Sequence, residues 1–225
     1  MTDIIIRPYR PQDQTALEEI TYRTGFQGED LTGKGFFDDK RLFFLIFIYY
    51  YPRYEPQHCF VAVDTRTRTD AVVGFICGTP DTARQRARFL KKVVPRIALR
   101  TLLYTVWRYP RTFKALLGML RLWREVEDGE STAAIQAAYP AHLHIDLLAE
   151  YQSMGVGTRL MRHFEAHMQG LNVAGIHLQT SNRNRKAVPF YHKMGFELIK
   201  ETPVQSHPVF DHLSLLTFAK KLNRE

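Results

Sequence analysis

His142-Leu143-His144-Ile145-Asp146 sets two imidazoles and a carboxylate at every second position of an apolar, strand-like run, His142 to Leu148. Alternate residues of a strand share a face, so the three side chains line up. Imidazole titrates near pH ~6.5, which suits proton transfer at neutral pH. Three uses of the row stay open: a base or proton relay, histidines satisfied structurally by hydrogen bonds, or a metal site built with Asp146. No companion ligand is evident, and no metal is expected. The next segment, Gln152-Ser153-Met154-Gly155-Val156-Gly157-Thr158, joins this strand to a helix-like run, Arg159 to Gln169. A glycine-rich turn at a helix start leaves backbone N–H groups free and pointing one way. With the helix dipole they make a seat for a phosphate or pyrophosphate. Gly155 and Gly157 let a ligand approach without a Cβ in the way.

A second strand-like run follows, Gly175-Ile176-His177-Leu178-Gln179-Thr180. After it comes Asn184-Arg185-Lys186-Ala187-Val188-Pro189-Phe190-Tyr191-His192-Lys193-Met194-Gly195-Phe196. The order strand, Q-x-x-G-x-G, helix, strand, N-x-x-A-x-x-F-Y-x-x-x-G-F resembles the GNAT superfamily of acyl-CoA-dependent N-acyltransferases. That resemblance implies acetyl-CoA as co-substrate, its pyrophosphate on Gln152 to Thr158. It implies a pantetheine arm along the backbone ending at Asp146, Leu147 and Leu148, and a thioester in a gap where this strand splays from Gly175–Thr180. It also implies that Tyr191 reaches the CoA sulfur as the acid for the departing thiolate; packing of its helix is the alternative role. Asn184 either caps that helix or binds the pantetheine arm.

The H-L-H resembles the strand of serotonin-type arylalkylamine N-acetyltransferases, where two histidines relay the amine proton through water. Tyr139-Pro140-Ala141 before it, with Gly78-Thr79-Pro80-Asp81-Thr82 upstream, resembles the acetyltransferase-like domain of O-GlcNAcases and its stand-alone bacterial relatives. Asp146 and Tyr191 match an acid and a tyrosine of that group, which includes domains of doubtful catalytic competence. Two functions therefore stand. One is acetyl-CoA-dependent N-acetyl transfer, direct and within a ternary complex, since no nucleophilic cysteine lies in the motifs. The other is a non-catalytic acyl-CoA-binding or interaction module.

The expected fold is α/β: a mixed, mostly antiparallel, splayed sheet of about seven strands with helices on both sides. Ile4-Ile5-Ile6-Arg7-Pro8 predicts a first strand stopped by Pro8. Gln12 to Arg23 predicts a helix capped by Asp13, with Leu17, Ile20 and Thr24 on one face. Gly25 to Gly35 is a loop, and Asp38 to Tyr50 a strongly apolar helix, either continuous or broken near Pro52. Cys59–Val63 and Ala71–Gly78 predict an antiparallel hairpin. The last strand is expected over Asp211 to Ala219.

Residues 82–138 have no counterpart in the resemblance and read as a helical lid inserted into a single domain, 1–225. Its basic and apolar residues alternate at helical spacing, Pro95 and Pro110 divide it, and Glu125 to Glu130 is an acidic returning turn. Leu90, Val93, Val94, Ile97, Leu102, Phe113, Leu116, Leu117 and Leu120 are its expected packing face. Tyr104, Trp107, Tyr109, Phe113 and Trp123 interleave its charges at a spacing that suits a helix packed on the sheet. His163 and His167 are expected on a solvated helix face.

Net charge is +8, with 45% hydrophobic residues, ample for a core. Residues 81–124 hold 12 of the 31 Lys+Arg and one acid, Asp81, so the basic character is local and the remainder is acidic by −3. A local anionic partner is implied, and a nucleic-acid coat is not expected. Arg100, Arg108, Arg111, Lys114 and Arg121 interrupt Ile97–Leu122, which excludes an ordinary transmembrane helix but not a helix lying on an anionic surface; a membrane- or nucleic-acid-binding insertion is a third reading, not the one expected. Met1-Thr2-Asp3-Ile4 carries no secretory pattern. Cys59 and Cys77 read as buried free thiols of a reducing, cytoplasmic compartment. The partners expected are acetyl-CoA and an unidentified amine acceptor, small molecule or peptide. A homodimer stays open.

Overall fold

Seven strands form one sheet in the order β1-β2-β3-β4-β5-β7-β6. The computed structural model describes residues 3–68, 70–126, 129–204 and 212–222, the side chains of 122–126 and 129–130 excepted. The strands are β1 (Ile4–Pro8), β2 (Cys59–Asp64), β3 (Ala71–Thr79), β4 (Ala141–Leu147), β5 (Gly175–Ser181), β6 (Glu197–Val204) and β7 (Leu213–Lys221). All pairings are antiparallel except β4 with β5. Every residue of β2 is buried, as its unbroken apolar run demands of a strand covered on both faces. The expected Asp211 start of the last strand lies outside the described residues.

Two helical layers flank the sheet. α9 (Val156–Gly170) and α10 (Ala187–Lys193) pack one face through Val156, Leu160, Met161, Phe164 and Tyr191 against Ala141, Leu143, Ile176 and Leu178. On the other face lie α1 (Gln14–Arg23), α2 (Lys40–Phe47) and α3 (Tyr50–Tyr54). They bury Leu17, Ile20, Phe44 and Tyr51 against Val61, Phe75 and Cys77. The apolar run from Asp38 is thus two helices. Asp39 starts α2 by accepting the Leu42 N–H (3.0 Å), and Pro52 sits in the first turn of the short α3, where its missing N–H costs little. Asp13 does not cap α1 with its side chain. Its carboxylate is held by Arg7 (2.7 and 2.8 Å) and by the Arg10 N–H (2.8 Å).

The insertion comprises α4 (Thr82–Lys92), α5 (Val94–Arg100), a π-helical turn (Thr101–Thr105), α6 (Val106–Arg108), α7 (Pro110–Val126) and α8 (Gly129–Ala138). Pro95 falls in the first turn of α5 and Pro110 opens α7, positions that tolerate a missing donor. The acidic stretch is largely helical rather than a turn: α7 runs through Val126 and α8 resumes at Gly129. Ala133, Ala134, Ala137 and Ala138 favour that second helix.

The packing face expected of the insertion is also corrected. Val93 and Leu116 are buried, Ile97 and Phe113 half-buried, but Leu90, Val94, Leu102, Leu117 and Leu120 are exposed. Tyr104 and Trp107 point to solvent as well, and the Trp123 side chain lies outside the described residues. Buried polar groups fix the orientation. Asp39, beneath the insertion, accepts from Arg100 (2.7 Å) and Thr105 (2.7 Å), and Thr112 receives the Asp38 N–H (2.7 Å).

Candidate active site

β4 and β5 touch at one end only. Their register pairs are Ala141 with Ile176 and His142 with His177, and beyond these the strands part. Their outer edges stay paired, β4 with β3 from His142 to Leu147 and β5 with β7 over its whole length. The Leu148 N–H donates to Val73 (3.0 Å), continuing the β3 ladder. By the alternation of antiparallel bonding, the backbones of His142, His144 and Asp146 also turn to β3, while those of Leu143, Ile145 and Leu147 face the gap. A main-chain edge is thereby left for an extended ligand. Gly78 lets β3 and β4 approach: a Cβ there would collide with the His142 carbonyl and with the Phe164 ring.

The glycine turn lies at the mouth of this gap. Ser153 (φ 62°) and Gly155 (φ 78°) are left-handed, and Gly155 stands at the N-cap of α9. Among the described residues, Arg159 supplies the first N–H of this helix to find a backbone acceptor, Gly155 O (3.1 Å). The N–H groups around Val156, Gly157 and Thr158 face outward, as a helix start leaves them. No atom lies within 4 Å of a Cβ built on Gly155, so the space above the turn is open. Gln152 ties the turn to its surroundings. Its Nε2 donates to Leu147 O (2.9 Å), and its Oε1 accepts from Lys186 Nζ (2.8 Å). Lys186, which sequence reasoning passed over, sets a cation beside the glycine turn; the basic run Arg183 to Lys186 was its only signal. Asn184 Oδ1 accepts the Ala187 N–H (3.2 Å), the geometry of a helix start.

His142, His144 and Asp146 share the α1–α3 face, as the strand period requires. The two imidazoles stand 4.9 Å apart, and His177 of β5 is 5.2 Å from His142. Tyr51 Oη lies 3.1 Å from His142 Nδ1, and its ring 5.4 Å from His144. Burial, reinforced by His144 and His177, holds His142 well below the ordinary imidazole range. Burial alone takes His144 down to about 4. Asp146 is pushed up to about 6 by burial, opposed by the hydrogen bond it accepts from Thr24 (2.8 Å). Near neutrality the row therefore holds neutral imidazoles and a carboxylate poised close to titration.

Two cavities of about 180 Å³ each open on this face. One is bounded by His142, His177 and Gln179 beneath Gln85 of α4 and Thr132 of α8. The other lies between Ile46, Tyr51 and His144 below Phe89 of α4. The insertion thus roofs the histidine row. Tyr51, Thr24 and His177 join the site across long stretches of chain, and no motif marks them.

Tyr191 approaches from the opposite face. It is buried beside Phe190, Phe196 and Phe218, and its Oη makes no hydrogen bond among the described residues. Burial and then the Asp146 charge push its phenol well above the ordinary range. Tyr191 is thus a neutral phenol near neutrality. His167 departs from the solvated face expected of it. It meets the buried His58 at 2.8 Å and packs on Phe60, while His163 is exposed with its ring edge on Phe60.

The family model for the acetyltransferase (GNAT) family matches residues 29–196. The solved structure of SsHAT is similar over 98% of this chain and 99% of its own, at 32% identity and a TM-score of 0.73. YncA from Salmonella typhimurium, a putative acetyltransferase solved with acetyl-CoA, shares 13% identity over 99% of this chain and 95% of its own, with a TM-score of 0.53. Naa20 from Chaetomium thermophilum, solved with a bisubstrate analogue, shares 16% identity over 98% of this chain and 87% of its own, also at 0.53. These two likenesses are of fold. Matched over three quarters of its length by the family model and across a splayed sheet with a glycine turn at its mouth, the chain belongs to the GNAT acetyltransferase family.

Proposed function

We propose that the chain moves an acetyl group from acetyl-CoA directly to an amine held under the insertion. The observation that carries this is the two-pair contact of β4 with β5, which leaves an opening with the histidine row on one side and Tyr191 on the other. Pyrophosphate on Gln152 to Thr158, with Lys186 beside it, sets the pantetheine arm against the β4 edge around Ile145, between the β5 contact and the Leu147 carbonyl that Gln152 occupies. The thioester then lies in the opening.

An amine reaches the site as an ammonium and must lose a proton before its lone pair can attack. Asp146, titrating at about 6, is the group of the row closest to neutrality, and it takes this proton with His144 and His142 as relay. Tyr51 holds His142 through Nδ1 and so fixes the direction of its other nitrogen. Nitrogen attack on the carbonyl carbon gives a tetrahedral intermediate. Its collapse breaks the C–S bond; Tyr191 gives its phenolic proton to the leaving thiolate, and the second proton shed by the acylated nitrogen passes through water to restore the phenol. Transfer through an enzyme thioester is not favoured: Cys77 is fully buried and its thiol is pushed up by that burial.

A second reading rests on one observation. Burial makes both β4 imidazoles weak bases, as befits a module that binds acyl-CoA without turnover. Thiol release from acetyl-CoA, assayed over peptides, polyamines and arylalkylamines, separates the two. The transferase gives release with one amine class, and Tyr191→Phe lowers that turnover about a hundredfold with acetyl-CoA affinity unchanged. Full activity in the phenylalanine variant removes Tyr191 from the acid role. Binding without release over the whole panel supports the module.

A further inference from the structure

The helical stretch from α5 through α6 is inside out. Thr101 and Thr105 are buried, and Thr105 and Arg100 are spent on Asp39. Ile97 and Val106 are half-buried, but four large apolar residues face away from the protein: Leu99 is 58% exposed, Leu102 66%, Leu103 70% and Trp107 80%. Steps of three and four place them along one side of a helix. A soluble surface helix carries the opposite pattern, and a contiguous apolar stripe of this kind marks a contact surface rather than scattered exposure. Leu117 and Leu120 of the neighbouring α7 are exposed too.

We propose that this stripe docks on an anionic lipid surface. The charges choose the occupant. From Thr82 to Arg124 the sequence holds 12 Lys+Arg and no acid. Arg96 and Arg108 are exposed one turn from Leu99 and next to Trp107. A second copy related by a two-fold axis would set these cations against their own equivalents, which is unfavourable. An anionic bilayer offers apolar depth for the leucines, negative potential for the arginines, and the boundary where tryptophan settles best. No described helix is long and apolar enough to cross a membrane, so the stripe lies on the surface.

Co-sedimentation of the full chain with vesicles tests this. One set is phosphatidylcholine alone; the other contains roughly one third phosphatidylserine, both at about 0.15 M salt. The expected result is binding to the anionic vesicles only, reduced at least about tenfold in a variant carrying Leu102→Ser, Leu103→Ser and Trp107→Ser. All three side chains are exposed, so the variant should unfold at the wild-type temperature. Absence of wild-type binding to either vesicle overturns the proposal, as does equal binding by the variant. A wild-type dimer in sedimentation equilibrium that the variant dissolves also overturns it, making the stripe a subunit interface.

Discussion

Asp146, as the proposed base, sets the pH dependence expected of this site. Its pKa is raised to about 6 because burial disfavours the charge. The stability it contributes is present below the unfolded carboxylate value, about 3.9, and is lost as pH rises through about 6. His144 runs the other way. Held down to about 4 by burial, it contributes stability above about pH 6.5 that is lost as pH falls towards 4. Asp146→Asn keeps an acceptor for Thr24 and removes the buried charge. It should stabilise the fold at neutral pH by about 1–2 kcal/mol in denaturant titrations. The same change should abolish the rise of kcat/KM through pH ~6 expected of the wild type, with a loss of about a hundredfold at pH ~7.5. A wild-type profile flat across that range contradicts the role. The row itself was legible because a strand has period two. Tyr51 and Thr24 were not: they reach His142 and Asp146 from 91 and 122 residues away, and in Tyr49-Tyr50-Tyr51 every ring reads as core.

At the scale of elements, the start of α9 and the seat of the insertion each hang on one residue. Gly155 has open space around it but a left-handed backbone, so Gly155→Ala should cost about 1 kcal/mol of stability through strain alone. A shifted turn misaims the N–H groups, and acetyl-CoA affinity should fall about tenfold by calorimetry. Unchanged affinity would mean that the turn is not the anion seat. Asp39 is 1% exposed, begins α2 and binds Arg100 and Thr105 of the insertion. Asp39→Ala takes the acceptor from the half-buried Arg100 and the buried Thr105 and should cost about 1–3 kcal/mol, read as a lower thermal midpoint. Helical periodicity announced the insertion but not which way it faces. Leu102 and Trp107 are the apolar positions a pattern turns inward. The buried carboxylate of Asp39, 61 residues before Arg100, turns Arg100 and Thr105 inward instead. The Asp38-Asp39 pair ahead of an apolar helix gives no sign of that demand.

Across the whole molecule, local signals give the strands and the hairpin, while the splay between β4 and β5 was legible only through the family resemblance. Alternation, glycine turns and Pro8 mark where strands run and stop. The roof does not follow, because α4 and α8 lie over the histidines by packing between distant segments. Apolar clusters on both faces of one sheet hold the glycine turn, the opening and the roof in register. Calorimetric titration of the pure protein with acetyl-CoA tests the central claim most directly. One site per chain is expected, with a dissociation constant in the range of about 1 μM to 1 mM usual for enzyme substrates. No heat and no shift of the thermal midpoint at about 1 mM acetyl-CoA, where a bound ligand must stabilise the fold, would mean that the opening between β4 and β5 is not an acyl-CoA site.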